Sequence, residues 1–193
     1  MEKLLIKENI KKLDEKQIIE QAKEDPERFR PLYELHYEEI FNFIFKKTGE
    51  KAVAVDICAE VFYKALLNLK KYQVTGTPFI AWLYRIAINE TAAFFRSTKK
   101  ERLVVLEDYQ IHFIQNELEY KGLNATEMRQ YLEHAFKKLK PIEVALIELR
   151  FYEEKSFKEI GEILEITENN AKVKAYRILS KLREILNKSG IKN

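Results

Sequence analysis

Apolar side chains recur with a helical period along most of this 193-residue chain, and that period constrains the fold more than any other feature. One stripe, within residues 52–70, comprises Ala54, Ile57, Cys58, Val61, Phe62, Ala65 and Leu69. A second, within residues 26–46, comprises Phe29, Leu32, Tyr33, His36, Ile40 and Ile44. Apolar residues at three- and four-residue steps indicate amphipathic α-helices, and no Val/Ile/Thr-rich stretch shows the two-residue alternation of a strand. The sequence therefore predicts an all-α fold.

The less common residue types narrow the class of protein further. Five Gly and four Pro suit long helices with few tight turns. The single cysteine, Cys58, rules out a disulfide framework and a cysteine-rich zinc site, and the three histidines are scattered, so we predict no metal and no cofactor. The charged N-terminus lacks the apolar core of a signal peptide, and no apolar run approaches the ~20 residues of a membrane span. These features predict a reduced, cytoplasmic protein without membrane insertion.

The helical pattern weakens between residues 97 and 124, where a basic run turns acidic. This favours two small helical domains joined by a flexible linker, which has room for one short helix. The predicted divisions are an N-terminal extension over residues 1–24, a first domain over 25–96, the linker over 97–124 and a second domain over 125–193. Within the second domain, residues 142–152 are apolar on most sides, which predicts a central buried helix.

The last forty or so residues carry the signals of a helix-turn-helix in the required order. Ser156 and Glu159 form a capping box, with Ser at the cap and Glu three residues on. A short helix follows, in which Gly161 is small enough for a close approach between helices. Residues 165–167 make the turn, and Thr167 caps a longer second helix. The order of short helix, tight turn and longer helix predicts a helix-turn-helix.

The second helix of this motif has an uneven charge that favours DNA binding. Its basic residues are Lys172, Lys174, Arg177, Lys181, Arg183 and Lys188, against Glu168 and Glu184. Spacing predicts an inward stripe of Val173, Tyr176, Leu179, Leu182 and Leu186, with Val173 and Tyr176 shared with the DNA face. The outward N-terminal half, which in a docked helix reads base edges, holds Asn169, Asn170, Lys172, Lys174 and Arg177. Arg150, just upstream, is a candidate to hold a phosphate. The alternative is a solvated basic face on an ordinary amphipathic helix.

A second candidate site lies in the aromatic stretch over residues 72–96, where Thr77 and Pro78 predict the start of a helix that runs to about Arg96. Aromatic rings among arginines suit single-stranded nucleic acid, because bases stack on the rings while the backbone is neutralised. The residues concerned are Tyr72, Phe79, Trp82, Tyr84, Arg85, Phe94, Phe95 and Arg96. Asn89 and the loop over residues 74–77 add a candidate pocket for an unstacked base. The alternative is that Phe79, Trp82 and Ile86 are ordinary core residues.

Four segments of the chain resemble the extracytoplasmic-function (ECF) sigma factors, the small two-domain class of bacterial RNA polymerase sigma subunits. Residues 56–62, DICAEVF, resemble the family's DLTQEVF helix, and residues 82–89, WLYRIAIN, match WLYRIARN nearly throughout. Residues 139–167 resemble LPPREREVLLLRYVEGLSYEEIAEILGIS, and residues 168–182 resemble EGTVKSRLHRARKKL. The chain departs from the family at Val53, Val55 and Ala59, where polar residues are usual, and at Ala171 and Val173, where Val and Ser are usual.

The resemblance implies a role for each of these segments. The helix with Asp56 and Glu60 would bind the clamp helices of the largest subunit of core polymerase. The first domain would open the −10 element of promoter DNA and hold a flipped base through Tyr72, Trp82, Arg85, Ile86 and Asn89. The second domain would place Lys172, Val173, Tyr176 and Arg177 at the −35 element, with Arg150 on its backbone, and the outward residues Asn170 and Lys174 complete the predicted −35 site. The acidic part of the linker would thread toward the RNA path, and an anti-sigma factor would mask both domains.

Two other classes of function remain as alternatives. A repressor or activator, whose first domain senses a ligand or dimerises, shares the helix-turn-helix but needs no base pocket. An enzyme is the other class, although the sequence contains no recognisable nucleophile–base set, metal cluster or phosphate-binding loop. The leading prediction is a promoter-specificity subunit with no catalysis of its own.

Overall fold

The computed structural model describes residues 15–74, 76–98, 107–119 and 123–188. Every regular element in those ranges is helical, which confirms the predicted all-α fold. The helices are α1 Glu15–Glu24, α2 Arg30–Thr48, α3 Lys51–Asn68, α4 Phe79–Thr98, α5 Asp108–Glu117, α6 Ala125–Phe136, α7 Pro141–Phe151, α8 Phe157–Leu164 and α9 Glu168–Lys188, with 3₁₀ turns at Pro26–Phe29 and Leu69–Lys71. The chain forms two compact units, Met1–Phe94 and Phe95–Asn193. Among the described helices, none combines the length and the apolar character that crossing a bilayer requires.

The first unit is built around the packing of α2 against α3. Gly49 joins the two helices in the left-handed conformation, with φ 66°, and its N–H donates to the Phe45 carbonyl at 2.9 Å. Only glycine adopts that conformation without steric cost, so the chain reverses there in a few residues. The predicted inner stripe of α3 is confirmed, since all seven of its members are buried. Burial also raises the pKa of the Cys58 thiol to about 12, so this thiol is a packing group.

Helix α4 crosses the same core and presents two different faces. It begins at Phe79, one residue after the predicted start at Pro78. Pro78 instead flanks the helix, and its carbonyl accepts from Ala81 N–H at 3.0 Å. The inner face buries Phe79 and Tyr84, and the Tyr84 hydroxyl donates to Glu39 Oε1 of α2 at 2.9 Å. The other face is left for the site described below.

The first unit also includes part of the predicted N-terminal extension. Residues 15–24 form α1, which buries Ile18, Ile19 and Ala22 and packs against α2 and both 3₁₀ turns. Glu15 Oε1 lies 2.7 Å from His36 Nε2. Helix α1 has few apolar residues among many charged ones, so their spacing in the sequence was only a weak signal for a helix. The extension's residues 1–14 lie outside the described residues.

The predicted linker over residues 97–124 contains a short helix, for which the prediction left room, and that helix packs into the second unit. Residues 108–117 form α5, which packs on α6 and α7 of the second unit and buries Ile111 and Ile114 completely. Gln110 Nε2 donates to the Tyr152 carbonyl at 3.1 Å, and the Phe113 and Phe151 rings lie 5.2 Å apart. A ten-residue helix is marginal alone in water. Its stability therefore comes from burial against the second unit, which a pattern confined to the segment does not reveal.

The second unit encloses α7, as predicted for a helix that is apolar on most sides. Residues 144–149 are all buried, and Leu149 is fully inaccessible. Helix α6 packs its predicted apolar face inward, and its Tyr131 hydroxyl donates to the Leu182 carbonyl of α9. Burial raises the pKa of Tyr131, so it stays a neutral donor at this contact. The remaining side of α7 is covered by α8 and α9.

Candidate nucleic-acid interface

The predicted helix-turn-helix is present at α8 and α9, with the predicted caps. Ser156 Oγ accepts from Glu159 N–H at 3.2 Å, and Glu159 Oε2 accepts from Ser156 N–H at 2.8 Å. The Ser156 hydroxyl also donates to Glu159 Oε2, at 2.7 Å, and the hydrogen bonds that this carboxyl accepts from the Ser156 hydroxyl and N–H lower its pKa and keep it ionised at the helix N-terminus. Thr167 Oγ1 accepts from Asn170 N–H at 3.2 Å and begins α9. The sequence prediction of the motif is therefore confirmed.

Gly161 sets how closely the turn approaches α8. The Ile166 N–H donates to the Gly161 carbonyl at 3.0 Å after Glu165 has turned the chain through the left-handed region, with φ 54°. A Cβ at Gly161 would lie 2.7 Å from the Ile166 carbonyl oxygen and 3.3 Å from Glu168 N. Both neighbours are backbone atoms that cannot rotate away, so this position requires glycine.

The outer face of α9 presents all six of its side chains that were predicted at the −35 site: Asn170, Lys172, Val173, Lys174, Tyr176 and Arg177 are exposed. Val173 and Tyr176, which the prediction placed on the inward stripe but shared with the DNA face, are 38% and 49% exposed and so lie on the outer side. The inward stripe is instead Ala171, Ala175, Ile178, Leu179, Leu182 and Leu186. Two alanines allow α9 to lie close to α8, and that close packing fixes the helix rotation that leaves the larger side chains outside.

The basic residues of α9 fall into two groups by their partners. Lys181 Nζ pairs with Glu143 Oε2 at 2.9 Å, and Arg183 Nε donates to the Leu118 carbonyl at 3.0 Å, so both belong to the packing of the unit. None of the ion pairs between described residues involves Lys172, Lys174 or Arg177. Cationic groups that remain unneutralised at the N-terminal half of the helix are those that a polyanion can engage.

Arg150 lies beside this face with partners of its own. Its Nη1 donates to the Lys155 carbonyl at 3.3 Å. Its guanidinium lies over the Phe113 ring of α5 and the Phe157 ring of α8, 5.4 Å and 5.1 Å from their centroids. The side chain is half-buried, and its part in holding a phosphate remains a prediction.

The other candidate site is an open cavity of about 400 Å³ in the first unit. Its lining residues are Lys64, Asn68, Lys71, Tyr72, Trp82, Ile86, Asn89 and Glu90. Four of the five predicted −10 residues thus come together there, and Arg85 does not line the cavity. Sequence reasoning missed Lys64, Asn68, Lys71 and Glu90. A signal was present for Glu90, which lies one turn after Ile86 on the same side of α4.

Aromatic rings form one wall of the cavity. The Tyr72 and Trp82 ring centroids lie 4.9 Å apart, and Tyr72 meets Phe79 edge-on at 5.3 Å. The Tyr72 hydroxyl donates to the Thr77 carbonyl at 2.9 Å, which ties the loop to the ring. Phe79 is buried, as the core alternative predicted, whereas Trp82 and Ile86 are only half-buried and Asn89 is exposed. The cavity wall therefore exposes apolar surface of Trp82 and Ile86 near the exposed carboxamide of Asn89.

The outward side of α3 combines acidic and apolar side chains. Asp56 and Glu60 are exposed, as their predicted role requires. Beside them, Val55, Tyr63 and Leu67 are 40%, 57% and 61% exposed. Together with Ala59 these residues repeat every four positions, which places them along one side of the helix. Such a stripe is large for a solvated surface and is typical of a protein-binding face.

A ladder of four aromatic rings on α2 adjoins α3. Tyr33, Tyr37, Phe41 and Phe45 follow one another at four-residue steps, with successive centroids 5.1, 5.8 and 5.9 Å apart. Tyr33 packs edge-on against Phe62 of α3 at 4.8 Å. All four rings are at least partly accessible. Sequence reasoning placed Tyr33 in the core stripe and missed the ladder as a surface feature.

Within the part of the chain that the structure describes, no group of three or more His, Cys, Asp or Glu side chains is arranged to hold a metal ion.

Comparisons with known proteins follow the same division into two units. The chain matches the family models for Sigma-70 region 2 over residues 32–101 and Sigma-70, region 4 over residues 129–182. It is 26% identical over 172 residues to the ECF RNA polymerase sigma factor BldN of Streptomyces coelicolor, with 88% of this chain and 65% of BldN covered, just under two thirds of that protein's length. It is 26% identical over 179 residues to the ECF RNA polymerase sigma factor SigW of Bacillus subtilis, with 89% and 95% covered.

A solved structure was also found that is similar to this chain. It is the sigma factor RpoE in complex with the anti-sigma factor NepR from Bartonella quintana. It superposes with a TM-score of 0.49 at 16% identity, over 82% of this chain and 96% of that chain.

Proposed function

This chain belongs to the sigma-70 family of RNA polymerase sigma factors, in its ECF group, and on that premise we propose how its two units divide the work of promoter recognition. As a sigma factor it binds core polymerase and promoter DNA and confers promoter-specific initiation. The first unit opens the −10 element and holds a flipped base. The second unit reads the −35 element as a duplex.

The cavity of the first unit is the observation that carries this proposal. A flipped base needs a preformed pocket, because unstacking it costs a few kcal/mol. Trp82 and Tyr72 offer an aromatic wall for stacking, and Asn89 offers an exposed carboxamide for hydrogen bonds to a base edge. Lys71 supplies a positive charge at the same cavity. These are the components of single-strand recognition.

The second unit supports duplex recognition through the exposed N-terminal half of α9. In a helix-turn-helix, this part of the second helix contacts base edges in the major groove. Lys172, Lys174 and Arg177 neutralise phosphates or read guanine, and Asn170 suits adenine. Val173 and Tyr176 add apolar contact area on the same exposed face. Arg150 holds the DNA backbone beside it.

We expect Arg177→Ala to weaken transcription from a −35-dependent promoter about tenfold to a hundredfold, since loss of one good arginine contact costs roughly 1–3 kcal/mol. The measurement is abortive transcript synthesis by the reconstituted holoenzyme at fixed promoter concentration. Lys188→Ala removes a positive charge from the far end of the same helix and serves as the control. Equal loss in both variants would contradict a specific role for Arg177.

We propose that the stripe of α3, with Asp56 and Glu60 at its edge, binds the clamp helices of the largest polymerase subunit. Acidic side chains give the contact its orientation, and the neighbouring apolar side chains give it buried area. The exposed Val55 and Ala59, which replace the family's polar residues, shift this balance toward apolar contact. The α2 ladder extends the accessible apolar surface next to it.

Reversing one charge at this surface tests its role. We expect Asp56→Lys to lower the affinity for core polymerase about tenfold or more, because like charges then face each other across the interface. Binding of fluorescently labelled protein to core measures this affinity. Glu24→Lys makes the same change on α1, away from the stripe, and should leave it unaltered. An unchanged affinity in Asp56→Lys would remove α3 from the interface.

Three finer proposals accompany this one. The protein has no catalytic activity of its own. It is a specificity subunit that contributes promoter contacts, and the polymerase contributes the active site. It works in the cytoplasm, where core polymerase and the promoter are found. An anti-sigma factor masks both units until a signal releases it, a proposal that rests on the family resemblance.

A duplex-binding repressor or activator is the rival reading, and one experiment separates the two. Purified protein and core polymerase are incubated with genomic fragments, and run-off transcripts are mapped. A sigma factor should give defined start sites that appear only when the protein and core polymerase are both present. Tight duplex binding by the protein alone, with no stimulated transcript and no binding to core, would favour the rival.

A further inference from the structure

Glu90 stands out in the cavity because it is the one carboxylate among its lining residues. It shares a side of α4 with Trp82, Ile86 and Asn89, and its side chain is only 19% exposed. Glu90 Oε2 accepts from Lys64 Nζ across the cavity at 2.6 Å. An acidic group beside DNA phosphates is unfavourable by itself, and the lysine offsets that charge.

Lys64 holds the carboxylate in place from α3. Its Nζ lies 2.6 Å from Glu90 Oε2 and 3.3 Å from Glu60 Oε1. The hydrogen bond to Glu90 is the main reason that the pKa of Lys64 is raised, so the ammonium form is retained. Asn68 Nδ2 donates to the backbone carbonyl of Lys64 at 2.9 Å, which holds the Asn68 side chain at the same cavity. The pair is thus fixed from two helices.

The hydrogen-bonding capacity of Glu90 is not used up by this pair. An ionised carboxylate only accepts hydrogen bonds, and its two oxygens offer about four sites. The described residues supply one donor, Lys64, and it contacts Oε2. Oε1 therefore keeps its acceptor capacity, and it belongs to a residue that lines the same cavity as Tyr72 and Trp82.

We propose that Glu90, positioned by Lys64, makes this pocket selective for a base that carries an exocyclic amino group and unfavourable for thymine. Cytosine, adenine and guanine can each donate an amino hydrogen to Oε1, as carboxylates accept from cytosine N4 in protein–DNA complexes. Thymine has no amino group: its single Watson–Crick donor, N3–H, lies between two carbonyl oxygens, which meet an approaching carboxylate with like partial charge. The inference rests on the proposed role of the cavity as a flipped-base pocket and adds which bases it accepts.

Cytosine and uracil provide the sharpest comparison, because they differ only at C4 and N3: cytosine has an amino group and an acceptor there, and uracil has a carbonyl and an N–H donor. The probes are single-stranded oligonucleotides of the non-template −10 region of a promoter mapped by run-off transcription. Each position in turn carries dC or dU, and binding to reconstituted holoenzyme is measured. At one position we expect wild-type holoenzyme to prefer dC about tenfold, the value of one good base contact.

Two variants test the residues themselves. Glu90→Gln should reduce the preference to about twofold or less, because a carboxamide can turn its NH₂ group toward a carbonyl. The exchange Lys64→Glu with Glu90→Lys keeps the ion pair between positions 64 and 90, at the cost of a like charge beside Glu60, and puts a donor at position 90, so the preference should invert toward dU. Glu38→Gln makes the same change as Glu90→Gln at an exposed site on α2 and should retain the wild-type ratio.

The outcomes separate this inference from the proposed function. Oligonucleotide binding with equal affinity for dC and dU at every position would overturn the selectivity while leaving the pocket intact. A dC preference that survives Glu90→Gln would remove Glu90 from the readout. If wild-type holoenzyme binds none of the oligonucleotides, the proposed function of the first unit fails, and the selectivity with it.

Discussion

Gly161→Ala should destabilise the second unit by about 2–3 kcal/mol, the cost of forcing an extra methyl into a packed site. The added Cβ would lie 2.7 Å from the Ile166 carbonyl oxygen, which is part of the turn between α8 and α9. Because the atom it meets is backbone, the turn itself must move. For a unit of this size the loss corresponds to a fall of roughly 10–20 °C in its unfolding temperature, which circular dichroism measures.

The same substitution should also impair promoter recognition, since moving the turn changes the angle at which α9 meets DNA. Lys158→Ala, on the exposed side of the same helix, is the matched control and should change the unfolding temperature by no more than a few degrees. An unfolding temperature for Gly161→Ala within that range would mean that the turn has more freedom than the described geometry allows.

Asn89→Ala should lower open-complex formation about tenfold to a hundredfold and leave the affinity for core polymerase unchanged. The Asn89 side chain is exposed, and among the described residues it makes no hydrogen bond, so its removal should not disturb the fold. Its carboxamide is free to bind a base edge, an interaction worth roughly 1–3 kcal/mol. Permanganate reactivity of unpaired thymines at the mapped promoter measures the opening.

The control for this variant is Asn42→Ala, which truncates an exposed asparagine on α2. It should form open complexes as the wild-type protein does. Core affinity is measured in parallel for both variants. A parallel loss of core binding and strand opening in Asn89→Ala would show that the residue supports the unit as a whole and would argue against a base pocket.

The helix-turn-helix could be predicted from the sequence because its signals are local. The Ser156–Glu159 capping box and the Thr167 cap each act within four residues, so their geometry depends on little else. The inner stripe of α3 was predictable for a similar reason, since a helix that buries one side repeats that side every turn. Both predictions are confirmed by the structure.

Local signals did not determine which face of α9 is exposed. Val173 and Tyr176 lie at three- and four-residue steps from the core leucines, so spacing alone favoured an inward position. In the structure, Ala171 and Ala175 occupy the inward positions, because small side chains allow α9 to approach α8 closely. The rotation of a helix about its axis is decided by the partner it packs on, and that partner is not part of the helix's own pattern.

Helix α5 and the cavity in the first unit depend on long-range contacts even more than the exposed face of α9 does. Residues 108–117 gain their burial from α6 and α7, so a weak local pattern read as linker becomes an ordered helix. Lys64 and Glu90 are 26 positions apart in the chain, and only the packing of the unit brings them to 2.6 Å. No spacing rule joins two residues across that separation.

By itself, the sequence determined seven of the nine described helices, the caps of the helix-turn-helix and the residue types that suit a promoter-binding protein, because helical period and capping are interactions of near neighbours. The tertiary structure alone decided which face of α9 is exposed, where α5 belongs and which side chains share the cavity. Those depend on how helices distant in the chain pack, and close packing selects one arrangement among many that the local pattern permits.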